Sequence, residues 1–207
     1  SRNGHSLSTV DADHTSHAAL SDEENIQQIS DHFRQIMQVL GLDLNDDSLK
    51  DTPRRVAKMY VKEIFSGLNA RNKPRITHFA NKYRYNEMVL EKNITLYSYC
   101  EHHFVPIIGK AHVAYISNGK IIGLSKLNRL VQFHAKRPQV QERLVEEIAL
   151  ALKECLGTED VAVVIDAVHL CVTSRGINDT NSSTVTAHYS GKFKNEHTRR
   201  EFLSFIK

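Results

Sequence analysis

Residues 161–171, Val-Ala-Val-Val-Ile-Asp-Ala-Val-His-Leu-Cys, form an almost unbroken apolar run that closes on His169 and Cys171. A run of this length and composition predicts a buried strand. Side chains two apart on a strand share a face. Val163, Ile165, Ala167, His169 and Cys171 are therefore expected to point the same way, so that a core strand delivers an imidazole and a thiol to a site at its end. Far upstream, Cys100-Glu101-His102-His103 supplies the other half. Two thiolates and one imidazole suffice to hold Zn²⁺ with its fourth position open, the arrangement of a catalytic rather than a structural zinc. Cys100 and His103 have the C-x₂-H spacing at which a single turn wraps one ion. His102 and His169 are competing ligands at this stage. The bland alternative is buried cysteines packing as small hydrophobes beside hydrogen-bonded histidines.

The chain has 207 residues, enough for one domain with a small appendage, and 41% of them are hydrophobic. A net charge of +3, with no block of consecutive Lys or Arg, argues against nucleic-acid binding by bulk attraction. No apolar stretch is long enough to span a bilayer. An odd count of three cysteines, without a signal-peptide pattern, predicts a cytoplasmic chain whose thiols stay reduced and available to metal. Cys155 lies in an apolar helical stretch and is expected to pack.

Residues 1–20 read as a flexible tail. Ser21 with Glu24 forms a capping box for a first helix, which Gly41 stops. Thr52-Pro53 opens a second helix that Gly67 ends. These helices predict an N-terminal helical hairpin over 21–70, followed by a catalytic domain over 71–207. There, 87–98 reads as a strand. Ser117-Asn118-Gly119 between 110–116 and 120–124 is a hairpin signal. Ser125 is expected to cap a short helix, a longer one runs to Leu156, and 183–189 and a last helix from Asn195 follow. The order α-α-β-β-β-α-α-β-β-α is an α+β pattern. So few strands leave exposed edges, and closing the sheet with other copies of the chain is one way to protect them.

Zinc lowers the pKa of a bound water to about 7, and a spare imidazole beside it, from His102 or His169, is a natural proton shuttle. Ser125-Lys126-Leu127-Asn128-Arg129 opens a helix with two cations three residues apart, which suits a phosphate. Arg175 lies four residues past Cys171, close enough to reach the same ligand. Glu142, beside Gln141, suits an N–H/NH₂ edge such as that of guanine, although Glu in a first helical turn also complements the helix dipole.

These residues sit in longer motifs: S-Y-C-E-H-H-F-V-P (98–106), G-L-S-K-L-N-R (123–129), R-P-Q-V-Q-E-R-L (137–144), D-A-V-H-L-C-V-T-S-R-G (166–176) and D-D-S-L-K-D-T-P-R-R-V-A-K-M-Y (46–60). In this they resemble the GTP cyclohydrolase I family, over nearly everything after the tail. The resemblance implies a homodecamer of the tunnelling fold, an antiparallel sheet with packed helices closed into a barrel by neighbouring subunits, with active sites at subunit interfaces. It implies conversion of GTP and water to 7,8-dihydroneopterin triphosphate and formate, the first step toward tetrahydrofolate or tetrahydrobiopterin. Zinc would be held by Cys100, His103 and Cys171. His102 or His169 would protonate the guanine ring nitrogen, with Ser125 assisting later proton transfers. Glu142 with Gln141 would hold the guanine edge, and Lys126, Arg129 and Arg175 the triphosphate, with Arg55 a weaker addition. His134 departs from the aromatic or apolar residue expected at its position, and the tail matches nothing in the family. Two rivals remain. A zinc deaminase acting on purine nucleotides is expected to carry H-x-E and P-C-x-x-C, which this chain lacks. A zinc-stapled binding module predicts a closed four-ligand site and no turnover.

Overall fold

The computed structural model describes residues 20–207, so the tail expected over 1–20 lies, up to residue 19, outside the described residues. The described residues divide into two compact units, 20–61 and 62–207.

The first unit holds helices α1 (Asp22–Val39) and α2 (Thr52–Met59), which pack on each other. Ser21 caps α1 as expected: its side chain accepts from the Glu24 N–H, and Glu24 returns a bond to the Ser21 N–H. At the other end Gly41 takes φ 76°. Its N–H donates to Gln38 O while the Leu42 N–H donates to Met37 O, a Schellman stop that needs the left-handed conformation glycine adopts freely. The second helix starts one residue earlier than expected. Asp51 is its N-cap, without a side-chain bond, and Pro53 is its second residue. Its α-helical part ends at Met59 and a π-helical turn, Tyr60–Ile64, follows, so Gly67 does not terminate it.

The second unit is built on a five-stranded sheet. Its strands are β2 (Met88–Cys100), β3 (Pro106–Ile116), β5 (Pro138–Gln139), β6 (Val161–His169) and β7 (Thr184–Tyr189), in the order β5-β2-β3-β6-β7. All pairs are antiparallel except β2–β5. Alternation explains the two cores. Val161, Val163, Ile165 and Ala167 face one side with Ala111, Val113 and Tyr115, where they meet Leu130 and Val131 of α3 (Leu124–Ala135) and Leu144, Ile148 and Leu152 of α4 (Gln141–Leu156). Ala162, Val164, Ala114 and Ile116 face the other side, against Phe193 and Phe202 of α6 (Glu196–Ile206) and the turn before it. Both faces are covered, which is why β6 reads as a continuous apolar run rather than an alternating one.

Three expectations need correction. The residues 117–119 do not form a hairpin. β3 already pairs with β2 and β6, so β4 (Lys120–Ile122) pairs instead with β1 (His78–Ala80) in a separate two-stranded sheet. Only Gly119 has positive φ there, whereas a type I′ hairpin needs it at two residues. The buried Tyr115 hydroxyl accepts from the Ile122 N–H at 3.2 Å and anchors β4 where it is. Second, Ser125 is not a cap: Gly123 is, with no side-chain bond, and Ser125 is the second residue of α3. Third, β6 ends at His169, and Leu170–Thr173 form one helical turn, α5, so Cys171 lies on that turn and not on the strand face.

Candidate metal centre and active site

A single extra residue in β2 decides which side of the sheet Cys100 faces. Glu91 stands opposite Val113, but Ile94 stands opposite Ala111. Before this bulge Val89 faces the α3/α4 core, whereas after it Ile94, Leu96 and Cys100 do. A one-residue slip moves every later side chain to the opposite face. Asn93 makes the bulge by taking φ 60°, a conformation asparagine tolerates better than most residues. The buried Ser98 hydroxyl donates to Ala135 O at 2.7 Å and ties the end of β2 to α3.

After Cys100 the chain turns sharply. The Phe104 N–H donates to Cys100 O at 2.8 Å, and the Cys100 N–H donates to Val105 O at 2.9 Å. Phe104 is held at φ 55°, unusual for a bulky residue, with its ring 5.0 Å from that of Phe65. The turn folds His103 back beside Cys100, and α5 brings Cys171 to the same place. The ligand atoms of Cys100, His103 and Cys171 all lie within 4.8 Å of one another. Cys100 is buried, Cys171 half-buried and His103 exposed, so the group is open to solvent on one side.

The donor atoms, rather than the surrounding charges, suit a metal ion there. Burial first, then the hydrogen bond and charge of Cys100, push the Cys171 thiol up, while Arg175 opposes them. Two sulfurs competing in this way, with an imidazole alongside, are a donor set that a borderline-soft divalent ion satisfies by taking both as thiolates. Arg175 Nη1 lies 3.3 Å from His103 Nε2. A guanidinium only donates, so a fixed cation stands beside the exposed side of the group.

The two spare histidines have different surroundings. His102 is exposed, with Nδ1 3.7 Å from the Cys100 sulfur and Nε2 3.8 Å from Glu101 Oε1. His169 is half-buried, and its Nε2 lies 2.7 Å from Gln141 Oε1. That carbonyl oxygen can only accept, so it fixes the proton on Nε2. Burial pushes the His169 pKa down, and the Glu142 charge partly offsets it, which places Glu142 in the same field.

Gln141 is placed differently from the sequence expectation. It is 1% exposed, and its amide nitrogen lies within hydrogen-bond distance of Ile165 O, Thr184 O and Thr186 Oγ1. Its amide nitrogen is engaged by the sheet, and its oxygen faces His169. Ser125, Lys126 and Arg129 stand on the first turns of α3, and among the described residues no hydrogen bond or ion pair joins them to the Cys–His–Cys group. Arg129 lines a separate depression with Gly67, Gln132 and Lys136. Arg55 belongs to the first unit, where it pairs with Asp51 at 3.6 Å.

Sequence reasoning passed over Glu101, Gln139 and Arg143. Arg143 Nη2 donates to Glu101 Oε2 at 2.6 Å and to Pro138 O at 2.9 Å, and its Nε donates to Gln139 Oε1 at 3.0 Å. The i,i+4 spacing of Gln139 and Arg143 across the start of α4 was the available signal. His134, the odd residue of α3, is buried with Nδ1 3.3 Å from Glu147 Oε2. Burial raises the Glu147 carboxyl, but bonds from His134 and Gln139, with the charges of His134 and Arg137, leave it below the usual range.

A helix-backed, mainly antiparallel sheet presents a Cys–His–Cys group at the ends of β2 and β6, the strands on either side of β3, as in a tunnelling-fold enzyme with a candidate metal centre. The sequence model of GTP cyclohydrolase I matches residues 29–207, and the chain belongs to that family. It is 62% identical over 188 residues to a GTP cyclohydrolase 1 of Flavobacterium johnsoniae, covering 91% of this chain and 84% of the relative. It is 58% identical over 189 residues to that of Yersinia enterocolitica, covering 91% and 86%. It is 55% identical over 190 residues to that of Aeromonas salmonicida, covering 91% and 87%. Among the described residues no helix is long and apolar enough to cross a membrane.

Proposed function

We propose that this chain converts GTP and water to 7,8-dihydroneopterin triphosphate and formate, at a zinc centre held by Cys100, His103 and Cys171. The observation that carries the reading is the convergence of those three ligand atoms within 4.8 Å, with one open side, in a chain of this family. Cys100, His103 and Cys171 would hold Zn²⁺ with a position open, and the ion would there activate a water near neutral pH.

The protein's own groups do the rest. Arg175 is already beside His103 and meets the triphosphate, with Lys126 and Arg129 from the start of α3 and Arg55 as a further cation. Glu142 accepts from the N–H/NH₂ edge of guanine. Gln141 keeps His169 in one tautomer and one orientation, so that His169 faces the ring with a defined proton. His102, exposed beside Cys100, moves protons between the ring and solvent during opening, and Ser125 assists the later sugar rearrangement. Loss of C8 as formate leaves the carbons that close the pterin ring. The product leads toward tetrahydrofolate or tetrahydrobiopterin.

Among the described residues no hydrogen bond or ion pair joins the cations of α3 to the Cys–His–Cys group, and β7 leaves an unpaired sheet edge. Both features support active sites shared between copies of the chain; the homodecamer and the cytoplasm belong to the same proposal and rest on membership of the family. The test is incubation of the purified chain with GTP, following a pterin chromophore and formate together. Formate in step with the pterin is expected. Ammonia without formate would favour a deaminase, and GTP binding without turnover a zinc-stapled module.

A further inference from the structure

The first turn of α4 touches both arms of the Cys–His–Cys group. Gln141 holds His169, two residues before Cys171, through the 2.7 Å contact at Nε2. Two residues further on the same turn, Arg143 holds Glu101, the residue between Cys100 and His102, at 2.6 Å. Glu101 is also held by its backbone, because its N–H donates to Gln139 O at 3.0 Å.

Arg143 is itself held in place. Its Nη2 donates to Pro138 O and its Nε to Gln139 Oε1, at 2.9 and 3.0 Å. Glu147 Oε1 lies 3.9 Å from Nε, and Gln139 Nε2 donates to Glu147 Oε2 at 3.0 Å. A lone ion pair on a surface contributes little, but a planar guanidinium locked by several acceptors fixes the carboxylate it meets in direction as well as distance. The acceptors belong to β5 and α4, while the carboxylate belongs to the turn that carries His103. The guanidinium therefore couples that turn to the same helix that orients His169.

We propose that Arg143 is a positioning residue of the metal centre: through Glu101 it sets the Cys100–His103 turn at the distance from Cys171 that one zinc ion requires. The proposal rests on the zinc reading of the site. Groups that orient metal ligands from outside the ligand set are worth about 10–100-fold in metal affinity, and the loss here should be of that order.

The test uses the full chain stripped of metal, titrated with Zn²⁺ alone against a chromophoric chelator. The wild type is titrated first. Failure to bind Zn²⁺, or binding that survives Cys171→Ser, overturns the zinc reading itself. With wild-type binding established, Arg143→Gln should weaken Zn²⁺ by about 10–100-fold and Glu101→Gln by a similar factor. Arg143→Lys keeps the charge but loses the fork, and should fall between Arg143→Gln and wild type. The double variant Arg143→Gln/Glu101→Gln should bind no more weakly than the weaker single variant, because the two act through one contact. A merely structural ion pair would lower the melting temperature of the metal-free chain without moving the chelator competition. Affinity in Arg143→Gln within about twofold of wild type, or losses that multiply in the double variant, overturns the proposal. If Arg143→Gln does not fold, the same comparison is made with Arg143→Lys.

Discussion

The Nδ1 atom of the buried His112 accepts a hydrogen bond from the backbone N–H of Asn93 at 3.3 Å. The bond spans the bulge in β2, and it satisfies a donor that the extra residue removes from the sheet ladder. That bulge turns the second half of β2 over, so a neutral imidazole on β3 supports the face on which Cys100 lies.

This relationship makes stability depend on pH. Burial, then the Lys110 charge, lower the His112 pKa from 6.5; Asp166 raises it and Lys92 lowers it further. The unfolded chain therefore takes up this proton at a higher pH than the folded one. The contribution of His112 is fully present above pH 6.5 and is lost as pH falls below 6.5 toward the folded value. Urea unfolding across that range should show a fall in stability that His112→Asn, which keeps an acceptor but cannot ionise, makes shallower. An unchanged slope in His112→Asn would remove His112 from the pH dependence.

Gln141→Leu should cost about 1–3 kcal/mol of stability per buried partner left unsatisfied, and it should impair turnover by releasing His169. Denaturant midpoints report the first effect and formate release the second. A variant as stable as wild type with raised KM for GTP alone would return Gln141 to the guanine-binding role.

Lys126→Ala and Arg129→Ala should weaken GTP binding more than guanosine binding. Each charge-assisted phosphate contact is worth about 1.5–3 kcal/mol, or roughly tenfold and more. Calorimetric titration with both ligands checks this. Equal losses for GTP and guanosine would place these two side chains away from the triphosphate.

Much of this architecture is legible from residue pattern alone. The capping box at Ser21, the end of the long helix at Leu156, where Gly157 takes φ 63°, and the start of the last helix near Asn195 are local, since one or two residues decide each. The apolar run of β6 also declares itself. The position of Cys171 does not, because period-2 alternation carries no information about where a strand ends, and a single helical turn begins at Leu170. The failed hairpin at 117–119 has a similar cause: turn chemistry reports a reversal, whereas pairing depends on which neighbour of β3 is still free. The bulge at Asn93 was signalled only by the polar run Glu91-Lys92-Asn93, which interrupts the alternation of the strand. The role of Gln141 was hidden because its partners on β6 and β7 lie 24–45 residues away in sequence.

His102→Ala should keep its zinc and its fold and lose at least about 10²–10⁴-fold in formate release, the usual worth of general acid–base help. His102 is exposed, so the core does not depend on it. Zinc content and formate release are read on one preparation. Loss of zinc would move His102 into the ligand set; full activity would leave His169 as the principal proton donor.

The central claim is that Cys100, His103 and Cys171 hold the one metal ion that GTP ring opening requires. The most direct measurement counts formate released per GTP by the chain as purified, after stripping with a chelator, and after return of Zn²⁺, alongside Cys171→Ser treated identically. One formate per GTP, loss on stripping, recovery with one Zn²⁺ per chain and no recovery in the variant are expected. Formate release that survives complete stripping, or recovery in Cys171→Ser equal to wild type, would contradict it.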